Sequence, residues 1–307
     1  MKMVRFDDLH LFARTAALGS FSQAAREADL LPGQVAAAVA RLERELDLRL
    51  FARTTRSLRL TAEGALYLPY AQDVLATLRE GQARVQGEDA ELRGTLQVAA
   101  PSDLGRNVLL PWLTAFRAAH PKLRLHLQLS DQVTNVFRDP VDIAFRLGRL
   151  DDASHVALPL LEDNRRVLVA APSYLQRHGT PASLEALKEH ACVLFQLGGR
   201  TYDRWGFDVE GRQVVVSVRG HLECDDADVV RRWVVAGEGI TYKSWLDVRE
   251  DVLAGRLQVL LGGAGQQLPL NLVCPHRKQF SPAVRQLHAQ LVQHLQPLLS
   301  GLPGHAG

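Results

Sequence analysis

Between Asp47 and Glu63 the chain carries no acid, yet Arg49, Arg53, Arg56 and Arg59 all fall in that gap. Guanidinium groups crowded on a polar stretch suit phosphate oxygens, which they hold by charge and by paired N–H donors. The 307 residues sum to a net charge of only +2, so any attraction to a polyanion rests on this local cluster. A second set of polar and aromatic candidates stands at the ends of apolar runs: Ser102, Asp103, Ser130, Arg146, Gly148, Phe195, Gln196, Asp225 and Tyr242. Strand ends facing helix starts are where alternating α/β folds take small ligands. Arg146 is the most suggestive, since a guanidinium grips a carboxylate bidentately, although an ion pair with Asp142 or Asp152 uses the same chemistry. For Ser102 and Asp225 the competing role is helix capping.

Nucleophilic and metal chemistry have no comparable signature. No GxSxG, HExxH, Walker A or kinase pattern occurs, and "GGAG" at Gly262–Gly265 lacks the lysine and helix that a phosphate cradle needs. Cys192, Cys224 and Cys274 are odd in number and widely spaced, which predicts buried inert thiols with no metal site and no bound cofactor. An enzyme is therefore not expected.

The basic cluster is positioned by three helices. Leu9, Phe12, Ala13 and Ala16 recur at helical spacing until Gly19, and Ser20 with Gln23 has capping-box spacing for a second short helix. Pro32 then opens a third, with Val35, Val39, Leu42 and Leu46 as its apolar stripe. That helix carries Ala36, Ala37, Ala38 and Ala40, and the face opposite the stripe, with Gly33, Ala37, Ala40 and Arg44, is nearly bare. "LRLFARTTRSLRLT" alternates as two short strands, Arg49–Phe51 and Leu58–Leu60, around an arginine-bearing tip. Three helices and a basic hairpin make a winged helix-turn-helix, whose third helix enters the major groove while the wing reaches phosphates or the minor groove.

"FARTAALGSFSQAAREADL" and "RLERELDLRLFARTTRSLRLTAEG", followed by a long helix, resemble the LysR-type transcriptional regulators. The resemblance is strong over the N-terminal domain and covers the whole chain in layout. It implies promoter DNA, a small-molecule effector, RNA polymerase and further copies of the chain as partners, in a dimer or a tetramer. Where the family commonly has a Ser-Gln-Pro-Ala-Val-Ser-Arg type run, this chain has Leu31, Pro32, Gly33, Gln34, Val35, Ala36 and Ala37. Alanines can meet a thymine methyl but form no bidentate base pair, so readout shifts to Gln34, to Arg41 or Arg44 toward phosphate, and to Arg53 and Arg56 of the wing. Gln34 suits adenine if it points inward and touches only water if it lies on the flank.

Thr61 is placed to cap a helix from Ala62 to about Gln86, with Tyr67, Ala71, Val74 and Leu78 as an apolar stripe widened by Leu66, Leu68 and Leu75. Its length of roughly 35–40 Å at 1.5 Å per residue exceeds what a small winged domain covers, which predicts pairing with a second copy. "QGEDAELRG" after it reads as a hinge.

Beyond Gly94, strand candidates such as "TLQVAA", "VDIAFRLG" and "ACVLFQ" alternate with helix starts at Ser102 or Asp103, Ser183, Asp225 or Asp226, and Ser281 with Pro282. The alternation predicts parallel sheets. "KLRLHLQLS" sets Leu123, Leu125, Leu127 and Leu129 against Lys122, Arg124, His126 and Gln128, the pattern of an edge strand. The resemblance implies two Rossmann-like subdomains with an effector cleft between them, as in periplasmic solute-binding proteins. The expected division is 1–61 winged domain, 62–91 linker helix and hinge, 92–299 effector domain and 300–307 tail. Within the effector domain, subdomain I takes 92–162 and 268–299 and subdomain II takes 163–267.

The acidic start of "MKMVRFDD", with no apolar leader and no apolar run near 20 residues, argues against a transport binding protein or a membrane partner and for the cytoplasm. Redox sensing through Cys192 and Cys224 is the alternative to ligand sensing; an organic acid is the effector class that Arg146 suits.

Overall fold

The computed structural model describes residues 4–53, 58–86, 92–132, 141–149, 156–209, 211–262, 265–274 and 281–303; of Arg53 only the backbone is described. One compact unit is carried chiefly by Met1–Leu92, and a second by Arg93–Thr134, Ile143–Val273 and Gln286–Gly307.

In the first unit α1 (Phe6–Leu18) stops at Gly19, whose φ of 60° is the left-handed conformation glycine tolerates. Ser20 Oγ accepts the Gln23 N–H at 3.3 Å and opens α2 (Phe21–Glu27). Pro32 is the first residue of α3 (Pro32–Leu46), where its missing N–H leaves no gap in the ladder. Val39 and Leu42 join Leu9, Phe12, Leu50 and Phe51 in one core, while Val35 packs with Leu11, Ala24 and Ala25 in a second.

The wing is β1 (Phe51–Arg53) antiparallel to β2 (Leu58–Leu60), with Phe51 opposite Leu60. β1 starts two residues later than the alternation predicts. The buried Glu43 carboxylate explains this, because it accepts the Leu50 and Phe51 N–H groups at 2.8 and 3.2 Å and draws the start of the wing onto the end of α3. Thr61 Oγ1 accepts the Gly64 N–H at 2.9 Å and caps α4 (Ala62–Gln86). A Cβ at Gly64 would overlap the Leu50 carbonyl oxygen, so only glycine lets the wing rest against this helix.

The second unit opens with β3 (Gly94–Ala100), α5 (Ser102–Leu104), a π turn at Gly105–Leu109 and α6 (Leu110–Ala119). Then come β4 (Leu123–Leu129), β5 (Ile143–Leu147), β6 (Val156–Leu161), β7 (Arg166–Ala170), α7 (Pro172–His178), β8 (Val193–Leu197), β9 (Arg200–Thr201), β10 (Arg204–Val209), β11 (Arg212–Ser217) and β12 (Leu222–Cys224). The chain continues with α8 (Ala227–Val235), β13 (Ile240–Ser244), α9 (Trp245–Leu253), β14 (Gln258–Leu260), β15 (Leu270–Cys274) and α10 (Pro282–Leu295).

One five-stranded sheet has the order β4-β3-β5-β15-β6, which puts β4 at the edge as its alternation predicts. The sheets are mixed, not parallel throughout. β3 runs parallel to β4 and β5, and β8 parallel to β12, but β15 is antiparallel to β5, and β13 and β14 are antiparallel to β7. Antiparallel neighbours arise because the chain leaves the first sheet after β6 and returns to it in β15. The two passages lie side by side: the Leu268 N–H donates to Asn164 O at 2.8 Å, and the buried Asn164 amide donates to Leu268 O and Ser244 Oγ.

Candidate DNA-reading face and effector cleft

On α3, Gly33, Gln34 and Ala37 are exposed, Ala36 and Ala40 half-buried, and a side chain at Gly33 would meet nothing within 4 Å. Ala38 does not belong to this open face; it is buried against α2. Gln34 is neither a free reader nor merely wet, since its Oε1 accepts the Leu31 N–H at 2.8 Å and caps the helix, leaving only the Nε2 donors for another partner. Arg41 is corrected more firmly. Its Nε and Nη2 grip the fully buried Asp8 carboxylate at 2.8 and 2.5 Å, tying α3 to α1. That bond raises the Arg41 pKa and turns Nε and Nη2 toward α1. Arg44 is exposed, the Arg53 side chain and Arg56 lie outside the described residues, and Pro32 serves as the helix start.

The apolar stripe of α4 splits in two. Tyr67, Ala71 and Leu75 pack on the winged core, whereas Leu66, Tyr70, Val74 and Leu78 are 72, 69, 53 and 42 % exposed. These four recur every fourth residue and share one outward face.

In the second unit, α5 starts where β3 ends and α8 starts where β12 ends. Ser102 is the first residue of α5 rather than its cap, with Pro101 before it. Its N–H donates to Asp131 Oδ1 at 2.7 Å, its hydroxyl donates to Asp131 Oδ2, and its Oγ also lies 3.1 Å from Asp226 Oδ1. Asp131 Oδ2 accepts a further N–H from Ala227, at 2.7 Å. Asp226, not Asp225, caps α8, accepting the Asp228 and Val229 N–H groups. Arg106 donates to both Asp226 oxygens at 3.2 and 3.0 Å. Burial works against the charge on Asp226, but Arg106 and the two amides outweigh it and hold its pKa below the usual range.

Behind these contacts lies a buried charge network. Asp103, expected to face a ligand, points inward to Lys243 Nζ at 2.5 Å, Arg231 Nε at 3.3 Å and Asn107 Nδ2 at 2.6 Å. Arg231 also bonds Asp228 and Asp251, at 2.9 and 2.7 Å. Burial opposes ionisation of Asp228, yet Arg232, Arg231 and Asn107 hold its pKa down to about 2. Asp247 shares Lys243 at 3.8 Å, and burial, then Asp103, pushes its pKa up to about 7.

The other candidates are dispersed. Ser130 Oγ accepts the Gln132 N–H at 3.2 Å. Arg146 is half-buried on β5 opposite Asn271, and Asp152 lies outside the described residues. Gly148 has φ 100° and its N–H donates to Pro269 O. Phe195 is half-buried on β8, Gln196 Nε2 reaches Glu223 at 3.5 Å, and Asp225 is exposed. Tyr242 stands in mid-strand, not at a strand end. It is buried, and its hydroxyl donates to Gly206 O and accepts the Gln266 N–H. Arg166, which no sequence pattern singled out, lies over the Tyr202 and Tyr242 rings and lines a shallow recess with Phe207, Tyr242 and Gly262.

Residues 89–296 match the model of the LysR substrate binding domain, and residues 6–65 match that of the bacterial regulatory helix-turn-helix protein, lysR family. The chain belongs to the LysR family of transcriptional regulators. It is 32% identical to the HTH-type transcriptional regulator CrgA of Neisseria meningitidis serogroup C over 96% of this chain and 98% of that one. To the uncharacterized regulator YhjC of Escherichia coli K12 it is 34% identical over 92% and 95%. The solved structure of CrgA from Neisseria meningitidis superposes with a TM-score of 0.61 at 30% identity, covering 94% of this chain and 98% of that chain. A full-length OxyR variant from Pseudomonas aeruginosa shares the fold, with a TM-score of 0.70 at 17% identity over 95% and 96%. This LysR-family regulator thus joins a DNA-binding domain to an effector-binding one, and the curated relatives are regulators of transcription.

The thiols of the regulator give redox sensing little support. Burial pushes Cys192 and Cys274 up to about 12, far from the thiolate that oxidation needs. In the β8–β12 register Leu222 faces Val193 and Cys224 faces Phe195. Cys192 therefore stands about 10 Å along the strands from Cys224, beyond the roughly 7 Å that a disulfide bridges. Among the described residues no three His, Cys, Asp or Glu side chains could hold a metal ion, and no helix is long and apolar enough to cross a membrane.

Sequence reasoning missed Asp131, Arg106, Lys243 and Asp247. "SDL" at 102–104, "SDQ" at 130–132 and "DDAD" at 225–228 carried the available signal, acids at strand-to-helix junctions, but not which acid meets which helix.

Proposed function

We propose that this regulator binds promoter DNA as a dimer built on α4 and responds to an organic acid taken between the two halves of its second unit, the five-stranded sheet on one side and β7 to β14 on the other. The observation that carries the reading is the outward row Leu66, Tyr70, Val74 and Leu78 on the helix next to the wing. An apolar row of this kind is covered most economically by its own copy, and a twofold pair of reading helices then meets half-sites on one DNA face. Gly33, Ala36 and Ala37 let the backbone approach the groove floor, the Gln34 Nε2 donors and Arg53 and Arg56 supply polar contacts, and RNA polymerase reads the result. A dimer of dimers uses the same contact twice.

An acid effector fits the helix starts at Ser102 and Ala227, whose N–H groups already hold carboxylates, with Arg106, Arg146 and Arg166 as cations on the same unit. No catalytic step belongs to this reading, and the expected division into subdomains at 162/163 and 267/268 follows the two chain passages. Tyr70→Asp with Val74→Asp tests the dimer. Light scattering at micromolar concentration is expected to change from dimer or larger to monomer, with loss of binding to a two-half-site fragment. A wild-type monomer refutes the reading.

A further inference from the structure

We propose that Asp131 is an internal carboxylate latch, which fills the anion position between the starts of α5 and α8 and must be displaced before an acid can enter. This rests on the acid-effector reading and names the regulation of that same site. Three donors converge on the one carboxylate: the Ser102 N–H at 2.7 Å, the Ser102 hydroxyl and the Ala227 N–H at 2.7 Å. Ser102 and Ala227 are the first residues of α5 and α8, so their N–H groups have no partner within the helix and take the Asp131 carboxylate instead. Asp131 follows β4 of the five-stranded sheet, whereas Ala227 follows β12 of the other half. The bond between them therefore joins the halves from side to side.

The latch is held with a built-in conflict. Ser102 Oγ has one proton and contacts two carboxylates, Asp131 Oδ2 and Asp226 Oδ1. It can donate to only one, so the second contact sets oxygen against oxygen. Arg106 offsets this on the Asp226 side alone. An external carboxylate that takes the three donors returns Asp131 to water and leaves every donor satisfied, so exchange costs far less than opening an empty site.

Asp131→Ala should convert the filled position into an open one that small carboxylates occupy. Thermal melting of the full chain is followed with sodium formate and sodium acetate, against sodium chloride at equal ionic strength. The expected result is a saturable rise in the melting midpoint with formate in the variant, at least tenfold more sensitive to concentration than any rise in wild type. Equal responses in the two proteins overturn the proposal. Asp131→Asn keeps the volume and covers the case in which the alanine variant does not fold. Hydrogen exchange at the Ala227 amide is expected to quicken at least tenfold in it, and unchanged protection again overturns the latch. The two readings separate cleanly. Formate binding by the alanine variant, with no organic acid altering DNA binding of wild type, sinks the effector reading and keeps the latch, while the opposite pair of results does the reverse.

Discussion

Replacing Asp247 by Asn isolates the one buried acid that the charge network leaves without a close cation. Asp247 lies in the first turn of α9, facing Asp103 from α5, Lys243 from β13, Asp131 from the end of β4 and Arg166 from β7. Asp103 claims Lys243 at 2.5 Å and has Arg231 and Asn107 besides, whereas Asp247 has Lys243 only at 3.8 Å, and its Oδ1 has no hydrogen-bond partner. Burial first, then Asp103, therefore raises its pKa from 3.8 to about 7. A raised acid binds its proton more tightly in the folded chain than in the unfolded one between about pH 4 and pH 7, so stability falls as pH rises through that window and the whole cost is in place above it. At 1.36 kcal/mol per pKa unit, three units amount to about 4 kcal/mol, and since Asp103 competes for the same lysine a single substitution recovers about 2–4 kcal/mol. Asn presents the shape of the neutral acid without the titration. Urea unfolding at pH 5, 6, 7 and 8 is read by the fluorescence of Trp245, which is fully buried two residues away. The stability gap in favour of the variant should widen by up to about 1.4 kcal/mol per pH unit from pH 5 to pH 7 and level off above. A gap that stays constant across the series refutes a protonated Asp247 and shows instead a carboxylate that Lys243 holds ionised throughout, since such a group has finished titrating below pH 5 in both folded and unfolded chains.

Arg41→Ala leaves the fully buried Asp8 unpaired, and is expected to lower the melting midpoint more than Arg44→Ala does, since Arg44 is exposed; equal shifts would show that the Asp8 pair contributes nothing. Arg53→Ala should weaken specific and scrambled duplexes alike and flatten the slope of log K against log salt by about one unit, as loss of one phosphate contact does. Gln34→Ala removes one hydrogen bond at the helix start, worth about 0.5–1.5 kcal/mol, so it should destabilise the winged unit in the absence of DNA. Discrimination lost in Gln34→Ala with the melting midpoint unchanged would reverse the assignment and make Gln34 the base reader.

The parts of the fold legible in the sequence are those set by neighbours in the chain. Gly19, the Ser20 cap, Pro32 at the start of α3 and Thr61 before α4 are local decisions, and each helix begins or ends as its punctuation predicts. The edge position of β4 was legible for a related reason, because its polar face has no layer to bury it. Strand direction was not legible. β15 joins the first sheet only after the chain has run through the second half of the unit, and nothing in "LNLVCP" tells whether it runs with β5 or against it. The α4 stripe lies between these cases, since its period is evident but the division into an inward row and an outward row depends on where the winged core meets it.

Several polar residues expected at a ligand or at DNA are bonded to other parts of this chain. Arg41 holds Asp8, Gln34 holds Leu31, Asp103 holds Lys243, and Ser102 holds Asp131. The physical cause is common to all four. An unsatisfied donor or acceptor at a helix start or in a core costs free energy whether or not a ligand is present, so a folded chain brings a partner of its own to it. The groups best suited to take an external anion are therefore the groups under most pressure to be satisfied from within. A regulator resolves this by using an internal partner that can be exchanged, and the Ser102 hydroxyl, with one proton for two carboxylates, marks where such an exchange meets least resistance. Asp103 cannot serve that way, because its departure would leave the buried Lys243 with no carboxylate nearer than Asp247, at 3.8 Å. The division between a fixed network and an exchangeable carboxylate is thus set by how many buried charges each acid leaves behind, a quantity that depends on pairings between residues far apart in the chain.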